Sequence, residues 1–229
     1  IFFSFFKYFL QKASLKKVSA DKMMIKARGP VWHKKQKAQG IIPKGLRRLD
    51  QEATWGKSQA DGWVYGHGSF CLTCYTIPVV GLFKWRPNSA HEGKRLGEEM
   101  PPFEGLVKKV FMDSKADDQQ LYFDLKQQYQ MPLVTSPRKG MDKSASRQQM
   151  VQQMRTPTNV RDDRKRSTTV EPMQGRVKEI FALDTCWMRG DANNRWLFAA
   201  MSIAVQMAQW KAVKQNASTW KVKQEGLGV

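Results

Sequence analysis

Residues 105–137 run GLVKKVFMDSKADDQQLYFDLKQQYQMPLVTSP, and the rhythm of the text changes twice within them. GLVKKVFMD has the apolar run of a buried strand. ADDQQLYFDLKQQY then places Leu121 and Leu125, and Tyr122 and Tyr129, at helical offsets, before MPLVTSP returns to a strand. Strand, helix and strand in alternation are the mark of an α/β protein, and that is the class expected here.

Toward the N-terminus, LKKVSADKMMIKA mixes β-branched and apolar residues with lysines and breaks at Arg28-Gly29-Pro30, which suits a strand ending in a turn. Residues 28–60 read as a basic loop, densest at KKQKAQGIIPKGLRR. GWVYGHGSFCLTCYT and PVVGLFKW follow as two strands joined through Ile77-Pro78, an expected hairpin. SAHEGKRLGEEM predicts a short helix stopped by Pro101-Pro102.

Toward the C-terminus, residues 137–169 are polar, with RDDRKR the most charged point, and suggest a loop with a short helix. Helix is expected from Pro172, interrupted near Arg189-Gly190. DANNRWLFAAMSIAVQMAQWKAV then makes a long apolar helix behind an Asp cap. The tail after Gln215 carries little packing signal. The opening IFFSFFKYFL is too short to span a bilayer and lacks the flanks of a signal peptide, so residues 1–14 are expected to be the remnant of an upstream helical segment.

Of the 229 residues, 41% are hydrophobic, enough for one sizeable core and one main domain. The 39 Lys and Arg against 20 Asp and Glu leave a net charge of +19, which points to a polyanionic partner, with nucleic acid ahead of a membrane surface. Three cysteines without a ladder of spacings argue against a secreted disulfide scaffold and for an intracellular protein. His67, Cys71 and Cys74 invite a zinc reading. Residues three apart on a strand face opposite sides, however, so buried core cysteines are expected instead. His91-Glu92 lacks the Pro-Cys-x-x-Cys of a zinc deaminase.

Three acids are the candidates for chemistry. Asp21 lies in the first strand, Asp113 at the carboxyl end of the GLVKKVFMD strand, and Glu171 at a helix start beside Pro172. Strand carboxyl ends and helix N-termini open into one crevice of an α/β sheet, so the three could converge there. Carboxylates that crowd within about 4 to 6 Å raise one another's pKa unless a cation compensates them. Magnesium suits hard oxygen ligands and leaves coordination for phosphate. Two such ions about 3.5 to 4 Å apart can drive in-line attack on a phosphodiester. Pro172 fits a first helical turn and leaves Glu171 at the cap. Lys178, two turns on, shares its face and can take a phosphate, with Arg164 and Arg166 reaching the same backbone. Taken singly, each residue has an ordinary reading: an aspartate that caps a turn, a glutamate that favours a helix start, a solvated lysine.

Three blocks together resemble the catalytic domain of DDE transposases from bacterial insertion sequences: VSADKMMIKARGPVWH around Asp21, VFMDSKADDQQLYFDL around Asp113, and RSTTVEPMQGRVKEIF with MRGDANNRWLFAAMSIAV around Glu171. The last is the most specific, since a Glu followed after six residues by Lys, then by Arg-Gly and a long apolar helix, is similar to that family's third-acid signature. The resemblance runs over about residues 15–212. It implies a ribonuclease H-like domain over 15–214, with a mixed central sheet flanked by helices, and a C-terminal tail over 215–229. It also implies Mg2+, with Mn2+ as a substitute, held by Asp21, Asp113 and Glu171, and hydrolysis and strand transfer on transposon-end and target DNA. The setting it implies is a homo-oligomer in the bacterial cytoplasm at the nucleoid, with no membrane partner. Two departures stand out. The Tyr and Arg that precede the third Glu in some relatives are replaced by Ser167, Thr168, Thr169 and Val170, so Arg166 takes that role only loosely. The interval between Asp113 and Glu171 is also too short for a large inserted β domain. A truncated or domesticated remnant that binds DNA without cutting it is the alternative.

Overall fold

The computed structural model describes residues 11, 16–58, 61–74, 80–139, 144–166 and 168–219. Six strands form one mixed sheet: β1 (Lys17–Lys26), β2 (Thr54–Ser58), β3 (Gly62–Cys74), β4 (Val80–Pro87), β5 (Lys109–Phe111) and β6 (Leu133–Val134). The long β3 is the spine. One of its edges pairs antiparallel with β1, while the other is shared by β2 along the first half and β4 along the second. β5 joins β1 in parallel, and β6 joins β5 in parallel. The strand–helix–strand reading of residues 105–137 therefore holds, although β5 and β6 are short.

The helices are α1 (Lys34–Ala38), α2 (Glu92–Glu99), α3 (Gln119–Tyr129), α4 (Ala145–Met154), α5 (Pro157–Arg166), α6 (Val170–Ile180) and α7 (Asp191–Lys214). Successive residues of a strand point to opposite faces, so the sheet has two cores. Val18, Ala20, Phe70, Leu72 and Cys74 pack under α2, α3 and α4 through Leu96, Leu121, Leu125, Met150 and Met154. Met23, Ile25, Cys71, Phe83 and Trp85 pack on the other face under α6 and α7 through Met173, Val177, Phe198, Met201 and Val205. Cys71 and Cys74 fall in different cores, as strand alternation requires, and all three cysteines are buried and free.

β4 lies at an edge, where unpaired backbone groups need cover. Polar side chains of α7 supply it. Gln206 Nε2 donates to the carbonyls of Val80 and Gly81 at 3.1 and 2.8 Å, Gln209 Oε1 accepts from Val80 N at 2.8 Å, and Ser202 Oγ accepts from Phe83 N at 3.2 Å. β3 also needs a glycine at position 66, because a Cβ there would lie 1.9 Å from the Ile25 carbonyl oxygen.

Several sequence expectations are revised. The basic stretch 28–60 is not only loop, since it holds α1 and β2, and Trp32 is buried with Ala27, Ala53 and Tyr65. The polar region 137–169 contains two ten-residue helices, α4 and α5. Glu171 is the second residue of α6 rather than its cap, which is Thr169. Asp191 likewise opens α7 after Gly190, whose φ of +82° favours glycine. Ile77-Pro78 and residues 1–10 lie outside the described residues, although β3 and β4 do pair antiparallel. Among the described residues, no helix is long and apolar enough to cross a membrane.

Candidate nucleic-acid cleft

The parallel register of β1 with β5 brings the first two acids together. Ser19 stands opposite Phe111, the last residue of β5, and Asp21 and Asp113 each follow two residues on, near enough for the charge of Asp113 to raise the pKa of Asp21. α6 buries Val170, Met173 and Val177, which turns Glu171, Gln174 and Lys178 into a stripe along the neighbouring side. These residues, with Arg164 and Arg166 at the end of α5, line one cleft of about 1070 Å³. Asp21, Asp113, Glu171, Arg164, Arg166 and Lys178, drawn from four stretches of sequence, thus share one cavity.

The cleft holds a further acid. Glu92, at the start of α2, is 4% exposed, and its Oε1 lies 2.8 Å from Lys115 Nζ and 3.3 Å from Lys22 Nζ. Its Oε2 is buried without a protein hydrogen-bond partner. Lys22 is fixed further by donating to the carbonyls of Asn88 and Ala90. Burial, then the negative charges of Glu92 and Asp113, push the Asp21 carboxyl up to about 6, against the pull of the Lys22 amide and Arg166. Asp113 is raised by burial and Glu92 in the same way, with the Lys115 amide, the Lys115 ammonium and Arg166 opposing. Burial disfavours the Lys115 ammonium, but its bond to Glu92 and the charges of Asp113 and Asp21 outweigh that, and its pKa is raised.

The ordinary reading of Asp113 is also realised, for its Oδ1 accepts from Lys115 N at 3.0 Å and caps the turn Ser114–Ala116. Glu171, on α6, has its side chain 55% exposed and 4.0 Å from Arg166 Nη2. Among the described residues, no three His, Cys, Asp or Glu side chains form a preassembled metal cluster. The fit to a hard cation rests on other features: carboxylate oxygens as the donors, two acids raised above their usual pKa first by burial and then by the charge of Glu92, and a third acid within the same cleft.

Sequence reasoning missed Glu92 as a member of this group. The sequence sets Glu92 beside His91 with no local mark of its role, and the closeness of Glu92 to Lys22 and Lys115 is tertiary. His67 belongs elsewhere. Trp85 Nε1 donates to its Nδ1 at 3.1 Å, so Nε2 carries the proton and donates to Asp50 Oδ2 at 2.9 Å, and Asp50 also accepts from Gly190 N. This buried staple ties β3 and β4 to the start of α7.

No family model and no curated protein matches the sequence. Among solved structures, the chain is similar to the piggyBac transposase in a cryo-EM synaptic complex with hairpin DNA. The TM-score is 0.55 at 10% identity, over 90% of this chain and 50% of that one. The likeness is one of fold, and this chain spans about half the length of the piggyBac chain.

Proposed function

We propose that this chain is the catalytic core of a DNA transposase of the DDE type, built on a ribonuclease H-like domain and acting with a divalent metal at the ends of a mobile element. The observation that carries the proposal is the convergence of Asp21, Asp113, Glu171, Arg164, Arg166 and Lys178 on one cleft. The mixed sheet order β4-β3-β1-β5-β6 is compatible with that domain, and the fold likeness to piggyBac transposase supports the general class. The narrower assignment to insertion-sequence ends rests on the third-acid signature around Glu171 and Lys178.

In this reading Asp21 on β1, Asp113 just beyond β5 and Glu171 on α6 would hold Mg2+ or Mn2+, which would activate an attacking oxygen and stabilise the leaving one. Lys178 lies on the stripe of α6 that carries Glu171, where it holds a phosphate beside the acids. Arg164 and Arg166 bind the DNA backbone and set its register. Lys22 and Lys115 pair with Glu92, and Lys115 also reaches Asp113, with its Nζ 3.9 Å from Asp113 Oδ2. Target DNA and a second subunit complete the proposed assembly.

The test is cleavage of end-bearing DNA by the purified protein with Mg2+. Nicking or joining is expected, with Asp21→Asn, Asp113→Asn and Glu171→Gln each abolishing it while salt-sensitive DNA binding persists. Binding by the wild type without any cleavage, in Mg2+ or Mn2+, overturns the proposal and leaves a non-catalytic DNA-binding scaffold.

A further inference from the structure

The hairpin of β2 and β3 carries an aromatic residue that packing does not explain. On one face of this hairpin Trp55 stands opposite Tyr65, with ring centroids 5.4 Å apart, and Tyr65 is buried together with Trp32. Two rungs further toward the tip and on the same face, Lys57 stands opposite Trp63, and the cover ends. Trp63 is 54% exposed, and the ammonium of Lys34 on α1 lies 4.0 Å from its ring centroid while that of Lys57 lies 6.0 Å away. Lys57 also lines the cleft that holds the acids, as do Ser58 and Asp61 at the hairpin tip. The tryptophan therefore sits beside the mouth of the cleft, joined to it by a cation.

We infer that Trp63, flanked by Lys34 and Lys57, is a stacking platform for an unpaired nucleobase of DNA whose duplex part occupies the cleft. An exposed aromatic face between two ammonium groups is the arrangement that binds single strands: the ring takes the π-face of any base and the lysines take the adjoining phosphates. Lys34 does not block the ring. An ammonium over an exposed ring is a weak contact on a flexible stem, and a stacked base with a phosphate for the displaced ammonium replaces it favourably. Charge selects the partner, since a chain of +19 attracts a polyanion and both groups beside Trp63 are cationic. Asp61 is tied back to Ser58, whose Oγ accepts from Asp61 N at 3.1 Å. This inference rests on the reading that the cleft binds DNA, and it adds a preference for ends that are frayed or single-stranded.

The experiment compares a blunt duplex with the same duplex bearing a short single-stranded extension that contains 2-aminopurine, both titrated in EDTA. The wild type is expected to bind the extended duplex about tenfold more tightly than the blunt one and to quench the 2-aminopurine. Trp63→Ala loses the preference and the quench while keeping its affinity for the blunt duplex, and Trp63→Phe retains most of both. Equal binding of the two duplexes by the wild type, or a preference that survives Trp63→Ala, overturns the platform and leaves the cleft reading intact. Failure of the wild type to bind either duplex overturns both.

Discussion

Arg166 Nη2 lies 4.0 Å from Glu171 Oε1, across the turn that joins α5 to α6. The same guanidinium opposes the rise in pKa at Asp21 and at Asp113. One cation therefore bears on three acids that come from three separate stretches of chain, and it does so from the position five residues before Glu171.

If Arg166 and Lys178 bind phosphates, replacing either with Ala weakens DNA binding across all sequences and lowers the slope of log affinity against log salt by about 1. Titrations by fluorescence anisotropy at several salt concentrations measure this. An unchanged slope in both variants would place the DNA elsewhere.

The raised pKa of Asp21 makes its charge a cost to the fold. Well below pH 3.8 the carboxyl is neutral in both folded and unfolded chains, so it has no effect. As pH rises from the unfolded value of 3.8 to the folded value of about 6, the unfolded chain ionises first and stability falls, after which the deficit is constant. Asp21→Asn should therefore be more stable than the wild type at pH 7.5, by on the order of 2 kcal/mol, with the advantage gone near pH 3. Thermal unfolding at the two pH values checks the sign. Mg2+ should recover much of the deficit in the wild type at pH 7.5 and add little to the variant.

Glu92 raises the pKa of both Asp21 and Asp113, so Glu92→Gln should lower them. Metal binding needs ionised carboxylates. The pH at which Mg2+ ceases to raise the melting temperature should accordingly move down in this variant. A midpoint that stays or rises contradicts the electrostatic role given to Glu92.

Gln206 covers two carbonyls at the edge of β4. Gln206→Leu keeps the volume roughly but leaves both carbonyls buried and unpaired. The expected loss is about 1 to 3 kcal/mol in urea unfolding, with no change in DNA affinity.

The α/β class was legible because it follows from local pattern. Strand and helix periods mark the elements around Asp113, and the places where acids can converge in an α/β sheet follow from its geometry. What stayed hidden depends on tertiary partners. α5, PTNVRDDRKR, has a single valine to show a period and is held by polar contacts, Lys17 to Asp162 at 2.6 Å, Arg155 to Asp163 at 2.8 Å and Lys109 to Asn159 at 2.6 Å. β2 is five residues with a central glycine, and it is a strand because β3 offers it an edge. Nothing local marks Glu92, and only the folded chain puts Lys22 and Lys115 around it.

The central claim is that Asp21, Asp113 and Glu171 hold a divalent metal together, and crystals of the protein soaked in Mn2+ and measured at the manganese edge test it most directly. The account predicts an anomalous peak within bonding distance of oxygens from Asp21 and Asp113, with the Glu171 side chain turned from Arg166 toward the same ion. No peak in the cleft at saturating Mn2+, or a peak that none of the three acids touches, would contradict it.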